Sequence, residues 1–191
     1  MMVVYPQGLN NSWNVGVFWD NNISDDVGFI RVMIDQIAED FNIDLGRIYA
    51  CGMSNGGYMA YRLACDLADK IAAFGSITGN FFVYGEGDDC LDQGREVPII
   101  HVHGTEDSIV NYYPPSFDGS LTVEESMIFW LEFNDLTSLF QTSIGEYTDI
   151  FTYYKPYSNT QFVHYRVNGG GHEWFSEEWG FHSSEVLVDV F

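Results

Sequence analysis

The sequence predicts one α/β domain, in which a mostly parallel sheet is covered by helices on both faces. Strand-like and helix-like segments alternate along the chain, and most strand-like segments are apolar on both faces, as in a buried parallel sheet. The chain has 191 residues, of which 46% are hydrophobic, and this suffices for one core. We therefore expect a single domain over residues 1–191, with no linker, repeat or second domain.

Five apolar segments bounded by turn residues have the length and composition of strands. In chain order they are "MMVVYP", "RIYACG", "IAAFGSITG", "VPIIHVHG" and "QFVHYRVNGGG". The segment 136–159 is aromatic and rich in threonine but has no clean periodicity, so it remains unassigned.

Four helices are expected between and after these strands. Ser24 suits the N-cap of the first helix, and Thr122 and Glu125 have the spacing of a capping box at the start of the third. The four segments are 25–41, Ser54 to about Leu67, the segment that begins at Thr122, and 184–191.

The composition is strongly acidic, with 28 acidic and 7 basic residues and a net charge of −21. This charge argues against nucleic acid or an anionic membrane surface as a partner, because phosphate groups would be repelled. No apolar stretch approaches the roughly 20 residues that a membrane span needs. The N-terminal residues "MMVVYPQGLN" do not have the pattern of a signal peptide.

Three cysteines are present, and no two have the close spacing of a zinc or redox motif. Cys51 lies in an apolar strand-like segment, so we expect a buried thiol there. Cys65 and Cys90 could form a disulfide, but their spacing alone does not decide it.

The segment Gly52–Gly56 matches G-x-S-x-G, with a strand expected before it and a helix after it. A serine on such a sharp turn is raised out of the sheet as a nucleophile, and the following Asn55 N–H lies at a helix N-terminus, where it can stabilise an oxyanion. The alternative is a glycine-rich turn with an incidental serine, because the five-residue pattern also occurs by chance.

An acid and a base follow the serine in the chain. Glu106 and Asp107 come directly after the fourth predicted strand, and His172 lies in a glycine-rich loop after the last one. A serine needs a base to take its proton, and the base needs a carboxylate to hold its tautomer. The carboxyl ends of parallel strands form the cleft of an open α/β sheet. The residues alone leave open which of the two carboxylates is the acid.

Four other histidines have less specific interpretations. His101 and His103 alternate along one strand, but no carboxylate cluster accompanies them, so we expect no metal site. We expect His103 to shape the end of its strand, His164 to be structural, and His182 to be a surface or capping residue.

With these motifs located, the chain resembles the polyhydroxybutyrate depolymerase and feruloyl esterase group of the α/β-hydrolases. The resemblance reaches from Val3 to Phe175. It is carried by "VVYPQGLNNSWN", "DDVGFIRVMIDQIAEDFNID", "RIYACGMSNGGYMAYRLAC", "VPIIHVHGTEDSIVNY", "VEESMIFW" and "YRVNGGGHEWF".

The resemblance implies an α/β-hydrolase fold and a serine esterase that acts, without a cofactor, on feruloyl-type, short-chain acyl or polyester substrates. It implies Ser54 as nucleophile, Asp107 as acid and His172 as base. It also implies secretion and a disulfide between Cys65 and Cys90, which fits an oxidising compartment. Trp13 follows the first strand-like segment and Trp174 follows His172, so both are candidate substrate-binding residues, with packing in the core or a loop as the alternative role.

One departure from the group's pattern concerns the N-terminal side. Members of the group have further strands and an "HG" loop before the strand that resembles "VVYP", and that loop supplies the second N–H of the oxyanion hole. Three explanations stay open: the chain is part of a longer protein, a second copy covers the sheet edge in a homodimer, or an asparagine between 10 and 14 supplies the donor. The alternative to an esterase is a catalytically impaired remnant that binds a polymer or carbohydrate.

Overall fold

The computed structural model describes residues 1–16, 22–82, 90, 95–116 and 120–190. Its regular elements follow the predicted alternation of strands and helices. In chain order they are α1 (Asp26–Asp40), β1 (Tyr49–Met53), α2 (Asn55–Asp66), β2 (Ala73–Ile77), β3 (Ile99–Gly104), α3 (Val123–Phe133), β4 (Ser138–Ile144), β5 (Thr148–Tyr154), β6 (Gln161–Val167) and α4 (Ser183–Val190).

The described strands form one six-stranded sheet in the order β1-β2-β3-β6-β5-β4. The pairs β1–β2, β2–β3 and β3–β6 are parallel, and β5 pairs antiparallel with both β6 and β4. The predicted α/β fold with a mostly parallel sheet and flanking helices is confirmed. The parallel half of the sheet carries the carboxyl ends on which the sequence motifs converge.

Helices cover both faces of the sheet. One face packs against α1, α2 and α3 through a core that includes Ile34, Tyr61, Phe74 and Trp130. The other face packs against α4, where Leu187 joins Ile100 and other strand residues. The N-termini of α1 and α3 are capped by side chains, because Asp25 accepts from Gly28 N and Thr122 forms the predicted capping box with Glu125. The first cap is Asp25, not the predicted Ser24.

The prediction of a strand at the N-terminus is wrong. Residues 1–6 form no strand, and Met1, Val3 and Tyr5 are exposed. An apolar run indicates a tendency to be buried, but a strand also needs a neighbouring strand for its backbone hydrogen bonds. The described strands do not include such a neighbour beyond β1.

The segment 136–159 holds the β4–β5 hairpin, which the sequence analysis did not assign. The two strands pair from Ser138 opposite Tyr154 to Ile144 opposite Thr148. Gly145 in the three-residue connection has a φ of +61°, the left-handed conformation that glycine adopts readily. A three-residue loop with glycine between β-branched and aromatic runs was the available signal for this hairpin.

Cys51 is exposed, so the prediction of a buried thiol there is wrong. Cys51 lies on β1, which is an edge of the described sheet, and the apolar pattern of its segment did not reveal that position. The expectation that a second copy covers this edge stays a prediction.

Cys65 and Cys90 form a disulfide, as the resemblance implied. It ties α2 to a residue 25 positions further along the chain. A loop of that length predicts that the cross-link stabilises the fold by about 3 kcal/mol. Replacing both cysteines by alanine should therefore lower the free energy of unfolding in urea by about that amount. A double variant as stable as the wild type would contradict this, and Cys51→Ala is the control.

No helix in the described part of the chain has both the length and the apolar character of a membrane span.

Candidate active site

Ser54 occupies a strained turn between β1 and α2. Its φ of +55° and ψ of −121° are unusual for a residue with a side chain. The turn is held from two sides, because the Ser54 N–H donates to Ile77 O at 2.9 Å and Ser54 O accepts from the Tyr58 N–H at 3.0 Å. Strain of this kind persists only where its surroundings enforce it, which is typical of functional sites.

Gly52 makes this turn sterically feasible. A Cβ at Gly52 would lie 2.4 Å from the carbonyl of Gly56, which no side chain tolerates. At Gly56 itself a Cβ would meet nothing within 4 Å, whereas at Gly57 it would lie 2.5 Å from Ser76 Oγ. The close approach that the motif predicts therefore depends on Gly52 and Gly57, and not on the second glycine of G-x-S-x-G.

Asp107 and His172 form a direct pair. His172 Nδ1 lies 2.8 Å from Asp107 Oδ2, although 65 residues separate them in the chain. Asp107 is buried and His172 is half-buried. Glu106, the other candidate acid, is exposed and has no such contact with His172. The structure therefore brings together the acid and the base that the resemblance implied.

The Asp107 carboxylate is held ionised. Burial opposes ionisation, but hydrogen bonds from His103, His172 and the backbone N–H groups of Val110 and Ile109 outweigh it and lower the pKa of Asp107 to about 2. An anion at this position favours the proton on His172 Nδ1 and leaves Nε2 free to accept a proton.

The turn that carries Asp107 and the loop that carries His172 are joined by their backbones. The Thr105 N–H donates to Val167 O and the Glu106 N–H donates to Gly170 O, both at 2.9 Å. Gly104 permits this approach, because a Cβ there would lie 2.2 Å from Gly170 O. The geometry of the acid–base pair is thus fixed by two adjacent parallel strands, β3 and β6.

Ser54 lies at the same end of the sheet as the pair, because it follows β1 while Asp107 follows β3 and His172 follows β6. These strands belong to one parallel set. Ser54 and His172, both among the described residues, do not share a hydrogen bond. The three-residue triad therefore stays a prediction. In unliganded enzymes the hydrogen bond between nucleophile and base is often long.

The side chain of Asn55 has a role that the sequence analysis missed. Its Oδ1 accepts from the Trp13 N–H at 2.7 Å, and its Nδ2 donates to Trp13 O at 3.1 Å. The residue after Ser54 thereby holds the backbone of Trp13, whose ring is half-buried and stacks on Phe29. In the sequence, the only indication of this role was that a polar residue directly follows Ser54.

The backbone of the next residue, Asn14, is held by side chains as well. Asp26 Oδ2 accepts from the Asn14 N–H at 2.6 Å, and Arg62 donates to Asn14 O at 2.7 Å. The Asn14 amide donates to Ser24 O, so this asparagine is already engaged and does not fit the role of a second oxyanion donor.

Trp174 shares a loop with His172 and is half-buried. Its indole N–H donates to Ser184 Oγ in α4 at 3.1 Å. This bond ties the ring to the helix, and the substrate-binding role of Trp174 stays a prediction.

His101, His103 and His164 are fully buried on the sheet face that packs against α2 and α3. Burial, with the neighbouring His164 and His103, lowers the pKa of His101 well below its ordinary value of 6.5. Burial, with His103 and Arg166 nearby, lowers the pKa of His164 to about 3 and outweighs the hydrogen bond to His101 O.

The lowered pKa values of His101 and His164 predict that the fold loses stability in mild acid. Below pH 6.5 each of these histidines binds a proton in the unfolded chain but not in the native state. The free energy of unfolding therefore has its full value above pH 6.5 and decreases as the pH is lowered. We expect the free energy of unfolding to drop by roughly 1 kcal/mol per pH unit for each of them between pH 6.5 and 4.5. Urea titrations at several pH values measure this slope.

The His164→Gln variant should show about half of that slope, and the half-buried His182→Gln should keep all of it. Carboxylates with lowered pKa values add to the slope towards pH 4.5, because their unfolded pKa values lie near 4, so the variants are compared between pH 6.5 and 5.5. A flat dependence between pH 6.5 and 4.5 would contradict the prediction.

The described residues contain no group of three or more His, Cys, Asp or Glu side chains that could hold a metal ion. His101 Nε2 and His103 Nδ1 instead lie 3.1 Å from each other. His182, expected to be a surface or capping residue, accepts from the Ser184 N–H at the start of α4 and so caps this helix.

Comparison with solved structures assigns the α/β-hydrolase fold. The acetyl xylan esterase of Aspergillus awamori matches with a TM-score of 0.59 and 14% identity over 77% of this chain and 62% of that one. The carboxylesterase of Bacillus cereus matches with a TM-score of 0.55 and 16% identity over 94% of this chain and 67% of that one.

The chain is also similar in sequence to proteins named as esterases, although no protein-family model matches it. It is 38% identical over 112 residues to a bifunctional acetylxylan esterase/xylanase of Neocallimastix patriciarum, covering 58% of this chain and 15% of that protein. It is 37% identical over 107 residues to feruloyl esterase B of Piromyces equi, covering 54% and 19%. A probable feruloyl esterase C of Aspergillus niger is 28% identical over 125 residues, covering 65% and 40%. The chain thus spans well under half the length of these relatives.

Proposed function

We propose that the protein is a carboxylic ester hydrolase in which Ser54 is the nucleophile, His172 the base and Asp107 the acid. The observation that carries the proposal is the 2.8 Å bond between His172 Nδ1 and Asp107 Oδ2 at the sheet end where Ser54 occupies a strained turn. The similarity to feruloyl and acetylxylan esterases supports the same chemistry.

The proposed reaction is acyl transfer in two steps. His172 Nε2 takes the Ser54 proton as Ser54 Oγ attacks the ester carbonyl, and the imidazolium then protonates the leaving alcohol. Water attacks the acyl-enzyme with the same imidazole as base and releases the acid. The ionised Asp107 holds the ring and stabilises its positive charge in both steps. No cofactor takes part in this scheme.

The Asn55 N–H is the proposed oxyanion donor. It is at the first position of α2, where N–H groups have no acceptor within the helix and the helix dipole favours negative charge. Each such donor contributes about 3 to 4 kcal/mol to transition-state stabilisation.

Feruloyl-type and short-chain acyl esters are the proposed substrates, with polyesters as a further class. The names of the relatives support the first two. Trp13, whose backbone is bound by the side chain of Asn55, is the proposed aromatic contact for the acyl group. We also propose that the protein is secreted, because the Cys65–Cys90 disulfide is stable in an oxidising compartment.

Hydrolysis of a small ester panel tests the proposal. Purified protein is incubated with p-nitrophenyl acetate, methyl ferulate and acetylated xylan, and a fluorophosphonate is added in a parallel series. We expect turnover of at least one ester that the fluorophosphonate abolishes. Folded protein that hydrolyses none of them, or hydrolyses them equally after phosphonate treatment, would contradict the proposal.

A remnant that binds a carbohydrate or polymer without catalysis is the second candidate. It is favoured by the lack of a hydrogen bond between Ser54 and His172 and by the half-buried Trp13. Binding of xylan in affinity electrophoresis, together with no reaction with the fluorophosphonate, would favour this candidate over an esterase.

A further inference from the structure

A chain of buried polar side chains runs from α2 to the turn that carries Asp107. The Tyr61 hydroxyl lies 2.6 Å from His101 Nδ1, and His101 Nε2 lies 3.1 Å from His103 Nδ1. His103 Nε2 in turn lies 2.8 Å from Val110 O. Tyr61 and both histidines are fully buried. Burying this many polar groups is unfavourable unless each has a partner, and here each does.

The donor and the acceptor in each of these hydrogen bonds can be assigned from the last acceptor, Val110 O. Val110 O only accepts, so the proton of a neutral His103 is on Nε2 and its Nδ1 is an acceptor. His101 must then donate from Nε2, which leaves its Nδ1 to accept from the Tyr61 O–H. Each residue thus fixes the tautomer of the next, and all the protons point towards the acid turn.

This chain of hydrogen bonds ends at Asp107 Oδ2, the oxygen that also binds His172. Asp107 Oδ2 lies 3.3 Å from His103 Nε2 and 2.8 Å from His172 Nδ1. The other oxygen, Oδ1, accepts from the N–H groups of Ile109 at 2.9 Å and Val110 at 2.8 Å. His103 therefore contacts both the carboxylate and the carbonyl of Val110, whose N–H orients that carboxylate.

We infer that His103 is a positioning residue for the catalytic acid. Its Nε2–H, shared between Val110 O and Asp107 Oδ2, holds the 104–110 turn so that Oδ2 meets His172 Nδ1. His101, which donates from Nε2 to His103 Nδ1, supports the same tautomer, in which the His103 proton is on Nε2. The inference rests on the proposed function for the role of Asp107, but the geometry that it describes has readouts that need no catalysis.

These hydrogen bonds also connect the turn that carries Asp107 with the helix that follows Ser54. Tyr61 lies on α2, the helix that begins directly after Ser54, and the chain crosses from that helix to the turn after β3. An apolar residue at position 103 would fill the same space without orienting the carboxylate.

Two variants of similar polarity separate positioning from packing. In His103→Gln the amide nitrogen reaches the place of Nε2 and keeps the donor. In His103→Asn the shorter amide reaches only the place of Nδ1 and loses it. We expect Gln to stay within about tenfold of wild-type kcat for p-nitrophenyl acetate, and Asn to lower kcat roughly 10²-fold with KM unchanged. The control is His182→Asn, at a half-buried position that caps α4.

Nuclear magnetic resonance of the wild-type protein tests the inference without any substitution. Long-range ¹H–¹⁵N spectra should show the Nε2–H tautomer for both His101 and His103. The downfield resonance of the His172 Nδ1 proton should persist in His103→Gln and weaken in His103→Asn. The Nδ1–H tautomer at His103, an equal loss of kcat in both variants, or an unchanged resonance in both would overturn the inference. Absence of any Ser54-dependent turnover would instead contradict the proposed function, and the spectra would still decide on the inference.

Discussion

Replacing Ser54 by alanine is expected to lower kcat for ester hydrolysis by roughly 10⁶-fold. Without Oγ no acyl-enzyme forms, and the remaining rate depends on binding and the Asn55 N–H alone. KM should change little, because the hydroxyl is small and contributes mainly in the transition state. Steady-state kinetics with p-nitrophenyl acetate measure both constants.

The control for this variant is Ser143→Ala. Ser143 is exposed on β4, at the sheet edge opposite β1, so its loss should leave kcat unchanged. The free energy of unfolding of both variants should be measured, because relief of the strained turn could make Ser54→Ala more stable than the wild type. A Ser54→Ala variant with wild-type turnover would show that another residue carries the reaction.

Replacing Asp107 by asparagine should lower kcat roughly 10⁴-fold. The oxygen of the introduced amide can keep the two backbone bonds that Oδ1 accepts, from Ile109 and Val110. His103 Nε2–H loses its contact with Oδ2 but keeps the shorter bond to Val110 O, so the turn should retain its shape. The amide nitrogen then faces His172 Nδ1 and donates to it, which moves the imidazole proton to Nε2. The ring can no longer accept the proton of Ser54.

Glu106→Gln is the matched control for this second prediction. Glu106 precedes Asp107 and is exposed, so neutralising it should leave kcat within about twofold of wild type. If Glu106→Gln were the inactive variant and Asp107→Asn the active one, the acid would be wrongly assigned. Kinetics between pH 6 and 9 should be compared, because a partial loss at pH 7 could reflect a shifted profile.

Much of the fold follows from local patterns in the sequence. The capping box at Thr122 and Glu125 fixes the start of α3, and the apolar runs of β2 and β3 are continuous because helices cover both of their faces. The pairing of Asp107 with His172 was also predictable, because both follow strands whose carboxyl ends share one edge.

Other features depend on which segments become neighbours, which no local pattern states. The apolar residues 1–6 resemble a strand but have no strand beside them in the described sheet. Cys51 resembles a core residue but lies on an edge strand. The hydrogen bonds from Tyr61 through His101 to His103 join α2 to β3. Because these elements are distant in sequence, the sequence around each histidine predicted a structural role but not the network.

Peptide mapping of the protein after reaction with a fluorophosphonate tests the central claim most directly. The account predicts one phosphonyl group per chain, attached to Ser54, formed quickly in the wild type and at least 10³-fold more slowly in His172→Ala. The rate of phosphonylation should depend on the His172 imidazole, because the reagent reacts only with a serine whose proton is being removed. An adduct on another residue, no adduct on folded protein, or an equal rate in His172→Ala would contradict the account.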